Sequence, residues 1–200
     1  MQRKNLTADE RKAATVSAVL MLAAEQNPSD ITTSAIAQKM GLTQGALFRH
    51  FDSKDSIMEA VMSWVADSIL NRIETAAQNE SSPLAALRAV FMTHIQFVFE
   101  NPGVPRLLLS ELQRPGITKP KEQTKSMLTG YKTKLIQILE TAIARKELPP
   151  ELDIKIAVVM FIGSIQGLVM QALIAGDVSL IRRDAAGVFA IYLRGIGNNK

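Results

Sequence analysis

Two hundred residues, a formal charge of +4, a pI near 9.4 and no cysteine set bounds on this chain before any motif is read. The length can bury one substantial core plus a small appended domain and excludes several large ones. The lack of cysteine excludes a disulfide framework and a thiolate zinc site and agrees with a reducing cytoplasm, while the basic balance suits a polyanionic partner.

The amino-terminal residues Met1-Gln2-Arg3-Lys4-Asn5 lead into a polar helix without the apolar stretch of a secretion signal, so a cytoplasmic setting is expected. Arg3 and Lys4 form either a basic arm for the minor groove or a phosphate, or a frayed solvated end. Thr7 to Glu10 reads as a capping box, opening a helix to about Gln26 with Val16, Leu20 and Ala23 on its inner side, and Asn27-Pro28-Ser29 stops it.

The most informative segment is TTSAIAQKMGLTQGALFRHFDSK, Thr32 to Lys54. Ile36, Ala37 and Met40 recur at helical spacing after Thr32 and Thr33, whose hydroxyls can accept hydrogen bonds from the first free amides. Gly41 supplies the residue without a Cβ for a tight turn, and Leu42 plugs the corner between two helix axes. Thr43 is the next N-cap. From Gln44 the helical rotation puts Leu47 and Phe51 on the core side and Gly45, Ala46 and Arg49 opposite. Small residues there permit close approach to base edges, Arg49 offers a fork for guanine or phosphate, and Gln44 can pair bidentately with adenine. An ordinary helical hairpin shares the helix-glycine-helix pattern. It gives no reason for Asp52-Ser53-Lys54-Asp55, where Asp52 or Ser53 can cap a further helix whose first amides and Lys54 would meet a phosphate.

At these residues the sequence resembles the tetracycline-repressor (TetR) family of bacterial transcriptional regulators. The match runs through Thr32-Thr33, Ile36-Ala37, Gly41-Leu42, Gly45 to Phe51 and Ser53-Lys54-Asp55. The resemblance implies that Thr33, Thr43, Gln44, Phe48, His50 and Lys54 stand where family members touch DNA, and that Gly45, Ala46 and Arg49 lie near base edges. Phe48 departs from the family's usual tyrosine and has no hydroxyl to donate, so its contact should be apolar, against sugar or a thymine methyl. Ser34 is short for a base contact. The implied fold is all-α, with a helix-turn-helix DNA-binding domain over residues 1–53 and a helical ligand-binding and dimerisation domain over 54–200.

Beyond Lys54, Ile57, Val61, Trp64, Val65 and Ile69 mark a long amphipathic helix to about Gln78. Pro83 opens a helix to about Glu100, and Asn101-Pro102 begins a shorter one to Leu112. Residues 114–120 read as an irregular connection, and Met127 to Lys146 as a helix burying Leu135, Ile138, Leu139 and Ile143. Its Lys121, Lys125, Lys132 and Lys134 suit a solvated face.

Ile156 to Ala175 carries no charge and is long enough to span a bilayer. Nearby Asp153, Lys155 and Asp177, the lack of an aromatic belt and the amphipathic character of the other helices argue instead for a buried helix, so no membrane partner is expected. Gly163 and Gly167, one turn apart, allow close approach of another helix, either within one subunit or from a second copy. A last helix from Leu180 to Ile196 adds Ala186, Phe189, Ala190 and Leu193 to a candidate homodimer surface. In the family such surfaces form dimers, and two recognition helices about 34–36 Å apart meet successive major grooves.

The resemblance also implies release from DNA when a small molecule fills the helical domain. Met92, Ile95, Phe99, Leu108, Leu128, Tyr131, Met160, Phe161, Gln166 and Met170 are the candidate lining for an apolar or amphipathic ligand, and the same residues describe an ordinary core. Catalysis, a cofactor and a metal are not expected: His50 belongs to the reader, His94 lacks metal-ligand spacing, and no phosphate loop or nucleophile elbow occurs. The reading is a homodimeric, ligand-responsive repressor that binds a pseudo-palindromic operator in its apo form. The alternative is a DNA-bound interaction protein, a chromosome-organising or division-coupled factor, with a protein partner instead of a ligand.

Overall fold

The structure, a computed structural model, describes residues 7–197. The Arg3 and Lys4 arm lies outside the described residues. Among them every regular element is helical: α1 (Ala8–Glu25), a 3-10 turn (Pro28–Asp30), α2 (Thr33–Lys39), α3 (Gln44–Leu47), α4 (Lys54–Gln78), α5 (Pro83–Glu100), α6 (Gly103–Gln113), α7 (Lys119–Ala144), α8 (Ile154–Ala175) and α9 (Ser179–Ile196). Contacts group them into two units, one from residues up to Asp67 with Asn101–Lys125, the other from Ser68–Glu100 with the chain from Ser126 onward. The first unit thus draws on two separate chain segments.

In the first unit the capping box at α1 forms as the residue types dictate, Thr7 Oγ1 accepting from the Glu10 amide at 3.2 Å and Glu10 Oε2 from the Thr7 amide at 2.8 Å. Val16, Val19 and Ala23 of α1 are buried with Ile31, Ile36 and Ala37 of the following segment, and with Leu47, Phe51, Ile57 and Val61. α6 packs closely along α1 because Gly103 has no side chain: a Cβ there would collide with the backbone of Leu20 and crowd Ala24.

The second unit is built on α5, α8 and α9. Its centre is a set of rings in which Phe91 meets Phe161 edge-on at 5.3 Å and Phe189 at 5.2 Å, and Phe161 meets Tyr192 at 5.5 Å. The Tyr192 hydroxyl donates to the Ala157 carbonyl at 3.2 Å, so this polar tip is satisfied inside the core. α7 contributes Leu135, Ile138 and Leu139 as its spacing predicts, with Ile143 only half-buried.

Two boundaries differ from expectation. α7 begins at Lys119 rather than near Met127, because Thr118 Oγ1 accepts from the Lys121 amide at 3.3 Å and Pro120 falls in the first turn, where its missing N–H costs no bond. α3 spans only Gln44–Leu47 as an α-helix, then tightens into turns through His50, whose amide reaches back to the Leu47 carbonyl at 3.0 Å.

A candidate nucleic-acid interface

The reader is assembled from three caps and one left-handed glycine. Thr32 Oγ1 accepts from the Ala35 amide at 3.1 Å and starts α2. The helix ends at Met40; Gly41 takes φ +66°, and the Leu42 amide returns to the Ala37 carbonyl at 2.9 Å while the Gly41 amide meets the Gln38 carbonyl at 3.0 Å. This Schellman arrangement satisfies the last carbonyls of α2 and turns the chain into Thr43, whose Oγ1 caps α3 through the Ala46 amide at 3.2 Å. Ser53 then starts α4 by a reciprocal pair, Ser53 Oγ accepting from the Ser56 amide and Ser56 Oγ from the Ser53 amide, each at 3.1 Å. Of Asp52 and Ser53, it is Ser53 that caps.

Leu47 and Phe51 are buried, so the opposite side of the reader faces outward. Thr43, Gln44, Gly45, Arg49 and His50 are exposed, Phe48 is exposed at 42 %, and Thr33, Ala46 and Lys54 are half-buried. A Cβ on Gly45 would meet nothing within 4 Å, so the glycine leaves open space on the outer surface. Thr33 does not cap α2. Its hydroxyl instead accepts a hydrogen bond from Gln44 Nε2 at 2.7 Å, joining the amino ends of α2 and α3. His50 and Phe51 also edge a groove of about 400 Å³ whose other walls include Asp9 and Lys12 of α1 and Ser56 and Glu59 of α4.

The second unit sorts the remaining candidates. Ile95, Tyr131 and Phe161 are buried and Met92, Phe99 and Leu128 half-buried, whereas Met160, Gln166 and Met170 stand on the exposed side of α8. Those three are corrected: α8 buries Ala157, Val158, Phe161, Ile165, Leu168 and Ala172, and the helical period turns positions 160, 166 and 170 away from that face. Leu108, half-buried, belongs to the first unit. A groove of about 210 Å³ in the second unit lies between Ala77, Ser81 and Ser82 and the α7 residues Lys134, Gln137 and Thr141, and none of the ten candidates lines it. His94 is half-buried, its Nδ1 3.1 Å from the Tyr131 hydroxyl; burial lowers its pKa from 6.5 to about 4 and pushes the Tyr131 phenol up.

Phe189 is also corrected. It is buried against Phe91 and contributes to its own subunit's core, while Ala186 and Ala190 are exposed and Leu193 half-buried. The outer face of α8 is apolar: Ile156, Val159, Met160, Met170 and Ile174 are all exposed, Ile174 at 80 %, and Ile191 of α9 joins them. Gly163 and Gly167 lie on this helix with nothing within 4 Å of a Cβ, so they do not serve packing inside the subunit. Ile156, Val159 and Ile174 of α8 and Ile191 of α9 were missed in the sequence; α8 is apolar on nearly every side, so no polar stripe marked which of its residues face outward. α8 is long and apolar enough to cross a bilayer, yet its buried side packs on α5 and α9 as a core helix does.

Two short capped helices joined by the Gly41 turn, the second exposing the side opposite Leu47, together with a separate helical unit, define a helix-turn-helix DNA-binding regulator. Residues 16–61 match the family model for bacterial regulatory proteins of the tetR family, and residues 116–188 match the tetracyclin repressor-like C-terminal domain. Together these regions take in more than half the chain, and the protein belongs to the TetR family of transcription regulators. It is 24% identical over 159 residues to the nucleoid occlusion factor SlmA of Marinomonas sp. (strain MWYL1), covering 80% of this chain and 81% of that one. In fold it is similar to the transcriptional regulator FadR from Bacillus subtilis in complex with stearoyl-CoA, with a TM-score of 0.78 and 20% identity over 92% of this chain and 98% of that one. FadR from Bacillus halodurans superimposes with a TM-score of 0.81 at 16% identity, covering 98% of each chain.

Proposed function

We propose that the protein acts as a homodimeric repressor whose two readers hold a pseudo-palindromic operator. The observation that carries this reading is the apolar outer face of α8, with Gly163 and Gly167 open to the outside. An uncovered patch of this kind is costly in water, and a second copy would cover it with the same face by twofold symmetry. Joined readers gain from effective concentration: once one half-site is held, the other is engaged without a second diffusional encounter. Thr33, Thr43, Gln44, Gly45, Ala46, Phe48, Arg49, His50 and Lys54 are the proposed DNA-facing set.

Ligand control is supported by the fold shared with the stearoyl-CoA complex. In this chain the guest would be apolar or amphipathic. It would displace part of the ring cluster around Phe91 and Phe161 and take orientation from the His94–Tyr131 pair. A second reading, a DNA-bound interaction protein, is favoured by the SlmA relatives and by a core already filled with rings.

The test is a titration of the protein with genomic DNA fragments at two salt concentrations, with and without stearoyl-CoA, alongside its mass in solution. A dimer with steeply salt-dependent duplex affinity supports the common reading, and a monomer with flat affinity overturns it. Release by the acyl probe favours ligand control; retention of DNA with saturating probe favours the interaction protein.

A further inference from the structure

Asp55 is an awkward neighbour for a phosphate. It sits beside Lys54 in the first turn of α4, exposed, where the amides of Lys54 and Asp55 have no carbonyl one turn earlier in the helix to bond. A carboxylate suits a free helix amino end, and it repels the anion that the reader must approach. The structure meets this carboxylate with a cation from a distant part of the chain: Arg114, just after α6, places Nη1 3.0 Å from Asp55 Oδ1 and Nη2 3.4 Å from Oδ2.

Arg114 is itself held in place. Its Nη1 is 3.2 Å from Oε2 of Glu111, a carboxylate only 3 % exposed, whose other oxygen accepts from the Thr118 hydroxyl. The Lys121 ammonium donates to the Arg114 carbonyl and, at 3.0 Å, to the Gly116 carbonyl, fixing the loop that carries the guanidinium. One turn along α4, Glu59 is paired with Lys119, the first residue of α7, at 3.7 Å, so two successive carboxylates of α4 face cations from the segment that ends α6 and begins α7.

The geometry points to Arg114 as a positioning residue for DNA binding: it neutralises Asp55 and steadies the first turn of α4 so that Lys54 and its helix end present net positive character to a backbone phosphate. This inference rests on the reading that Lys54 meets that phosphate. It assigns Arg114 an effect on affinity that does not depend on base sequence.

The experiment measures anisotropy of a fluorescent mixed-sequence duplex of about 30 base pairs, at low and moderate salt, with the full-length protein. Arg114→Gln is expected to bind about tenfold more weakly, and adding Asp55→Asn to it should return affinity to within about twofold of wild type. Asp55→Asn alone should bind at least as tightly as wild type, an arm that decides the matter even if Arg114→Gln does not fold. Wild-type affinity in a folded Arg114→Gln, failure of Asp55→Asn to rescue it, or weaker binding by Asp55→Asn alone overturns the inference. Lys54→Ala separates the two readings: if it weakens binding while the Arg114 variants do not, only the neutralisation is wrong, and if it has no effect the phosphate contact itself is lost.

Discussion

Gln44 Nε2 donates to Thr33 Oγ1 at 2.7 Å across the Gly41 turn, and the bond ties the first residue of α3 to the first residue of α2. A glutamine side chain loses considerable rotamer freedom when it grips a base. Here one amide hydrogen restrains the chain in advance while the other hydrogen and the carbonyl remain free, which still leaves the donor and acceptor that adenine requires. Thr33→Val keeps the shape and removes the acceptor. It should weaken operator binding by about 0.5–1.5 kcal/mol with little change in melting temperature, because the bond is exposed. Operator titrations of Thr33→Val and wild type that superimpose would remove the orienting role.

Arg49 is exposed on the outward side of the reader and makes no ion pair among the described residues. An unengaged guanidinium next to the small surface of Gly45 and Ala46 is free to reach a base edge or a phosphate, and the two differ in what its loss does. If Arg49 reads guanine, Arg49→Ala costs about 1–3 kcal/mol at the cognate site and relaxes preference at one base pair. A uniform loss over all sequences with a shallower salt slope would assign it to phosphate. Selection of bound fragments followed by titration of single-base variants distinguishes the outcomes.

What was legible in the sequence is the part of the molecule written in local chemistry. Thr7 to Glu10, Thr32, Gly41, Thr43 and Ser53 each perform a cap or turn that depends only on residues a few positions away, and all form as their types require. Which side of the nearly all-apolar α8 faces the core was not legible. In α8 almost every position is apolar, so composition could not tell Phe161, buried, from Met160, exposed. Phe189 differs, because on the amphipathic α9 it shares one helical stripe with the buried Ile181, Ala185, Tyr192 and Ile196, a signal the period did carry. Arg114 carried no signal either, since its partner Asp55 lies 59 positions away.

Two glycines on different helices should respond oppositely to a side chain. At Gly103 even a methyl group would press on the backbone of α1, which cannot swing aside, so Gly103→Ala should lower stability by about 1–3 kcal/mol in denaturant unfolding. Gly167 has open space in its own subunit, so Gly167→Leu should fold normally and even gain helix propensity. Its cost falls on close helix approach from a second copy. Sedimentation of that variant should show a monomer with weakened operator binding, and a stable dimer at low concentration would place the interface away from this strip of α8.

His94 links stability to pH in a direction that can be worked out. Burial holds its folded pKa near 4 against 6.5 for a free imidazole, so between these values the unfolded chain binds a proton that the native ring refuses. Unfolding is then favoured by acid. The contribution is fully present above about pH 6.5, falls as pH drops toward about 4, and amounts to at most about 3 kcal/mol over that window. His94→Gln can keep a hydrogen bond to the Tyr131 hydroxyl and has no proton to bind, so its stability should fall less steeply across the same range. Urea unfolding of both proteins at about pH 7 and about pH 4.5 isolates the effect, because every other titrating group is common to the pair. Parallel losses would mean that the imidazole takes up its proton as readily in the native state as in the unfolded one, and the His94–Tyr131 contact would then be an open, hydrated pair.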